Sequence, residues 1–86
     1  MKPFNLTITS PDGNVFKSEA VSVFLRGTEG EFAIMAGHTP FVTTVISCEC
    51  KIELPDGSRK EAHTEGGIIT VSNNEVTLLS GSFEWK

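Results

Sequence analysis

Cys48, Cys50, His38 and His63 are the side chains of this sequence best suited to nucleophilic or metal chemistry. A thiol beside an imidazole and a nearby glutamate is the raw material of covalent catalysis. None of these residues sits in a strand-to-helix elbow, and no glycine-rich loop leads into a helix to cradle a phosphate. On an extended strand a Cys-x-Cys pair places both thiols on one face about 6.5–7 Å apart, too far for an unstrained disulfide. Free structural thiols are therefore expected at Cys48 and Cys50. A metal half-site would need two further ligands, and His38 and His63 stand at no recognised zinc spacing. No catalytic residue, metal or cofactor is expected.

The carboxylates of Glu29 and Glu31 offer a different chemistry, that of docking. They bracket Gly30, whose freedom at positive φ allows a sharp reversal with both acids in water. Taken alone, such a pair is an ordinary solvated turn, since exposed ion pairs contribute only about 0–1 kcal/mol. Phe32 and Ile34 then alternate with Ala33 and Met35, the period of a short half-buried strand. Gly37, His38, Thr39 and Pro40 make a second reversal, in which Pro40 forces Thr39 into an extended conformation. A histidine in such a turn reads as a hydrogen-bonding surface residue. Two stiff turns flanking a strand present a fixed acidic lip.

The elements that must hold this lip are strands. Phe4, Leu6 and Ile8 alternate with polar residues before the turn Pro11-Asp12-Gly13-Asn14, and Val15-Phe16 restarts the chain. Val21, Val23 and Leu25 share a face, with Phe24 an exception on the other. Phe41 to Ile46 is a β-branched apolar run that suggests a strand buried on both sides. Cys50, Ile52 and Leu54 alternate up to Pro55-Asp56-Gly57. From Arg59 to Glu65 only Ala62 and Thr64 are suited to face inward, which predicts an edge strand or a looser core. Ile68, Ile69 and Val71 precede an Asn73-Asn74 turn, and Val76, Leu78 and Leu79 follow it. Phe83 and Trp85 share a face, either as a final strand or as a cover over apolar surface. Turns every eight to twelve residues and no 3.6-residue period predict an all-β fold, a flattened antiparallel β-sandwich of short strands.

Eighty-six residues make one domain with a thin core, packed by six phenylalanines and aliphatic residues in the absence of tyrosine. A net charge of −4 argues against nucleic acid as partner, which calls for a basic stripe. No apolar run approaches the roughly 18 residues of a spanning helix. The start lacks the apolar core of a signal peptide. A cytoplasmic chain, tied to a membrane only through a protein partner, is expected.

Gly27, Glu29, Gly30, Glu31, Phe32, Gly37, His38 and Pro40 together form a pattern similar to the epsilon subunit of the F-type ATP synthase at its N-terminal β-sandwich. A second block agrees: Gly66, Gly67, Ile68, Val71, Asn74, Val76, Thr77 and Leu79 resemble its Gly-Gly, aliphatic strand, polar turn and final strand. The stretch from Leu6 to Val21 fits as well. The resemblance implies a non-catalytic rotor subunit of the central stalk that binds the gamma subunit and rests on the membrane c-ring. By the same resemblance Glu29, Gly30 and Glu31 contact the c-ring, and Ser10, His38 and Thr43 contact gamma. It places the chain at the cytoplasmic face of a bacterial inner membrane. Residues 1–86 are read as a single sandwich domain without the C-terminal helical hairpin that many relatives carry, and so without its ATP-binding motif. The sequence departs from the family at Ile46-Ser47-Cys48, where Lys-Pro-Gly is usual, and at Arg26, where proline is common. The alternative from another class is a free-standing β-sandwich module binding peptide or sugar.

Overall fold

The computed structural model describes residues 2–37 and 39–86. Among these are ten strands and no helix: β1 (Phe4–Ser10), β2 (Gly13–Ala20), β3 (Ser22–Gly27), β4 (Gly30–Ile34), β5 (Phe41–Val45), β6 (Cys48–Glu53), β7 (Arg59–Thr64), β8 (Gly67–Ser72), β9 (Glu75–Ser80) and β10 (Phe83–Trp85). They pair in the order β10-β7-β6-β3-β5-β8-β9-β1-β2, with β4 added to β3. Every pairing is antiparallel except β1 with β9, which is parallel. The expectation of an all-β sandwich holds, and the parallel pair is its one departure from a purely antiparallel arrangement.

The path bends where β3 meets β5, because that pairing rests on a single register position, Gly27 opposite Val45. On one side of the bend lie β3, β4, β6, β7 and β10; on the other lie β5, β8, β9, β1 and β2. Their inner faces share one buried cluster, in which Leu25, Ile34 and Ile52 from the first half meet Leu6, Ile8, Ile69 and Leu78 from the second. The alternation read along β1, β3 and β6 is the alternation observed. At the far ends of the path, Phe16 of β2 touches Trp85 of β10 with ring centroids 5.8 Å apart, so the two halves are clasped opposite the bend.

Two expectations are corrected. The run Phe41–Ile46 is not buried on both sides. Val45 is buried and Phe41 and Thr43 are half-buried, but Thr44 is exposed and Val42 is 67% exposed. Apolar character misled here because β5 is covered by the core on one side only. Nor is β7 an edge strand, since β10 pairs along its outer side, Phe83 opposite Thr64 and Trp85 opposite Ala62. The small residues of β7 are nonetheless fully buried. Thr64 is satisfied there because its Oγ1 lies 2.7 Å from Ser80 Oγ and accepts from the Gly66 amide at 3.1 Å, while Ser80 Oγ donates to the Ser82 carbonyl at 2.7 Å.

The registers set which turns share an end. Gly27, Val45, Gly67 and Ser80 form one row across the strands, so the Thr28–Glu29, Ile46–Ser47 and Glu65–Gly66 connections lie together. The Asn73-Asn74 turn lies at the other end, with φ of 45° and 63° as a tight hairpin reversal requires. Its Asn74 carbonyl accepts from the Asn5 amide at 2.9 Å, and its side-chain oxygen accepts from the Gly37 amide at 3.4 Å.

Candidate docking site

The acidic lip is the tip of the β3–β4 hairpin. Gly27 pairs with Gly30, so Thr28 and Glu29 make the reversal and Gly30, at φ 125°, returns the chain to the strand. The Gly30 backbone freedom read in the sequence is used one step after the turn. Glu31 pairs with Arg26 across the hairpin, carboxylate to guanidinium at 2.9 Å, with both side chains about half exposed. The arginine that stands where the family commonly has proline thus holds the second acid of the lip. Glu29 is exposed at the apex and has no ion pair among the described residues.

Beside the tip an open depression of about 410 Å³ runs from Gly27–Phe32 to Phe41–Thr43. Phe32 and Phe41 meet edge to face on its floor, centroids 6.2 Å apart. Thr43, read as a gamma contact, therefore borders the same hollow as Glu29, Gly30 and Glu31. Ser10 stands apart, three strand spacings or about 14 Å across the β5-β8-β9-β1 half. Its hydroxyl closes the β1–β2 turn, accepting from the Asp12 amide at 3.3 Å. His38 lies outside the described residues.

The outward face of β5, β8, β9 and β1 forms a second surface. Val42, Ile68 and Leu79 are 67%, 46% and 51% exposed there, and Ile68 and Leu79 are direct cross-strand partners. Threonines surround them, and charge enters toward one edge, with Glu75 beside Asn5 and, on the adjoining β2, Lys17 and Glu19 opposite Thr7 and Asn5. The sequence reading missed these residues by treating the apolar runs as core. The signal was present: in a period-2 strand with alternate positions buried, Ile68 and Leu79 fall on the outward phase.

The other half of the sandwich carries the imidazole chemistry. His63 Nδ1 is 2.9 Å from Glu49 Oε2, Nε2 is 2.8 Å from Glu65 Oε1, and Ser47 Oγ lies 3.4 Å from the same Nε2. Serine, histidine and glutamate here have the connectivity of a hydrolytic triad. Glu65, however, competes for the nitrogen that would take the serine proton, and the group lies open to solvent, where charge stabilisation is weak. Lys86 pairs with the second oxygen of Glu49. This is a surface charge network tying β6, β7 and the chain end. Cys48 and Cys50 are free thiols, the second wholly buried. Burial above all, then the neighbouring Cys48, pushes the Cys50 thiol up to about 12, so it stays protonated and a poor nucleophile.

Known proteins share this sequence pattern and this fold. The family described as the ATP synthase delta/epsilon chain β-sandwich domain matches residues 3–86. The ATP synthase epsilon chain of Clostridium perfringens is 35% identical over 85 residues, covering 99% of this chain and 64% of its own length. That of Caldicellulosiruptor saccharolyticus is 36% identical over 85 residues, covering 99% and 61%. The present chain thus spans less than two thirds of the length of these relatives. The fold recurs in a chain of the Euglena gracilis mitochondrial ATP synthase, with a TM-score of 0.92 at 21% identity over 96% of this chain and 53% of that one. It recurs again in the central stalk and c-ring structure from Tetrahymena thermophila, with a TM-score of 0.76 at 14% identity over 92% and 63%. With nearly every residue inside the matched segment, the chain belongs to the ATP synthase delta/epsilon family, as its β-sandwich domain.

Proposed function

We propose that this chain is a non-catalytic central-stalk subunit of a rotary ATP synthase, gripped by the gamma subunit and seated on the membrane c-ring so that ring rotation reaches the catalytic head. The observation that carries this reading is the division of its surface: an uncharged patch of Val42, Ile68, Leu79 and threonines on one sheet face, and a carboxylate-bearing hairpin at one end of the body. An exposed face with Val, Ile and Leu among threonines gains by being covered. A turn with a solvated carboxylate suits charge complementarity with a basic loop, which sets register more than raw affinity. Torque transmission needs a stiff body, and one core shared by both halves supplies it. The named relatives support this reading over a free-standing module for peptide or sugar. The seat is accordingly at the cytoplasmic face of a bacterial inner membrane, reached through the ring.

Co-purification tests it. Tagged chain is expected to retain purified gamma and, in detergent, the c-ring. Glu29→Lys together with Glu31→Lys is expected to lose the ring while keeping gamma, because the first charge is reversed and the second then repels Arg26. Retention of neither partner by the unaltered chain would refute the assignment.

A further inference from the structure

We infer that the hollow beside the β3–β4 tip is a two-part socket for one turn of a protein partner, taking an apolar side chain on its floor and a neighbouring Lys or Arg on its rim. The inference deepens the docking role given to this hairpin above and rests on it. Three features of the hollow lead there. Its floor is the Phe32–Phe41 pair, and Val42 adds an aliphatic wall that is 67% exposed. Its rim carries Glu29, without an ion pair among the described residues, next to Glu31, whose charge is already shared with Arg26. The local charge is therefore one net carboxylate, matched by one cation. Gly27 lies against the floor: a Cβ there would meet Phe32 Cε1 at 3.3 Å and the Thr44 carbonyl oxygen at 3.2 Å. The hairpin thus holds the ring in place by the absence of a side chain.

The volume, about 410 Å³, is at the small end of ligand cavities, which run from about 300 to 1,000 Å³. Its polar side chains, Thr28, Glu29, Glu31 and Thr43, are exposed or half-buried, so none is a buried convergent group of the kind that fixes a small molecule. A hollow among the outward-facing charges of β3, β6 and β7 differs in kind, being lined by Arg26, Glu31, Glu49, Lys51 and His63, with both signs present. The socket is the place where apolar floor and unmatched carboxylate coincide, which makes Phe32 and Val42 the residues that select the partner's apolar side chain and Glu29 the one that selects its cation.

The two parts differ in their response to salt, because only the ionic part is screened. Binding of the unaltered chain to detergent-solubilised c-ring is measured from about 0.05 to about 0.5 M NaCl. Affinity is expected to fall severalfold and then level off at a finite value. Phe32→Ala, and Val42→Ala as the exposed variant that leaves the core intact, are expected to lower that level roughly tenfold with gamma binding by Phe32→Ala unchanged. Glu29→Gln is expected to flatten the salt response without removing the level. Ring binding that vanishes at high salt, or that both alanine variants leave unaltered, would overturn the socket while sparing the coupling role. A chain that never binds the ring would overturn both.

Discussion

The two outer faces of this sandwich are both made of short strands, yet they differ in chemistry. Over β5, β8, β9 and β1 the outward positions are Val42, Ile68, Leu79 and threonines, with Asn5, Ser72 and Glu75 at one end. Over β6, β7 and β10 they are Glu49, Lys51, Glu61, His63 and Glu84, with Glu49 and Glu84 directly opposite His63 on either side. Charges on an exposed sheet keep it soluble and unpartnered. Their absence around Val42, Ile68 and Leu79 fits the partner contact proposed for that patch. The inner sides differ as well. Beneath that patch lie Leu6, Ile8, Ile69 and Leu78, whereas β6 and β7 contribute Ile52 with the smaller Cys50, Ala62 and Thr64. The half that offers an apolar exterior also holds the larger aliphatic interior.

The sharpest way to break the comparison is at a glycine in each half. A Cβ on Gly67 would sit 1.8 Å from the Leu79 carbonyl oxygen, so β8 and β9 cannot keep their register with any side chain there. Gly57, in the β6–β7 turn, has φ 89° and open space around its missing Cβ. Gly67→Ala is expected to cost more than about 3 kcal/mol, as overpacking against backbone does at its upper end. Gly57→Ala is expected to cost about 1–2 kcal/mol, the strain of a left-handed residue alone. Urea denaturation at constant m-value measures both, and equal losses would mean that the β8–β9 junction is softer than its contacts imply.

Charge reversal sharpens the difference at the surface. Ile68→Lys places a cation in the middle of the uncharged patch of Val42, Leu79 and threonines, while Glu61→Lys places one on the face where charges of both signs lie side by side. Stability is expected to move by no more than about 0.5 kcal/mol in either case, as for surface substitutions generally. Affinity for gamma is expected to fall roughly thirtyfold, about 2 kcal/mol, in the first and to hold in the second. Isothermal titration with purified gamma decides; a loss with Glu61→Lys and none with Ile68→Lys would exchange the roles of the two faces.

Much of this was readable in the chain, and the misreadings share a cause. Alternation along Phe4–Ile8 and Cys50–Ile52 reports the core directly, because one side of each strand is wet and period 2 then maps onto burial. Asn73-Asn74 and Pro11-Asp12-Gly13 report turns through backbone preference alone. Val42 and Ile68 could not be placed as easily, since an apolar residue facing a partner and one facing the core have the same composition. The Arg26–Glu31 pair and the Thr64–Ser80 hydroxyl contact depend on strand register, and Thr43 beside the hairpin tip on where the path bends. Local sequence does not state either. Candidate site residues were legible only through the family pattern, which supplies positions; the structure adds which of them share a hollow.

The smallest effect probes the interior contrast. Cys50 is the one group of the charged half's core whose ionisation folding resists, held at about 12 against an ordinary 9.0 by burial first and by Cys48 second. In the unfolded chain the thiol ionises near its ordinary value, so between the two values unfolding releases a proton and rising pH favours it. Stability is therefore fully present below about pH 9 and is expected to decline by roughly 1 kcal/mol per pH unit above it. Cys50→Ala should remove this part of the slope and leave the rest, so the measured quantity is the difference between the two proteins' urea midpoints at pH 8 and pH 10. Iodoacetamide gives an independent reading at pH 8, where Cys50 is expected to react only as fast as the whole protein opens. Faster reaction would mean that β6 and β7 part from the sandwich before the aliphatic half does, and the thin interior beneath the charged face would then be its weak side.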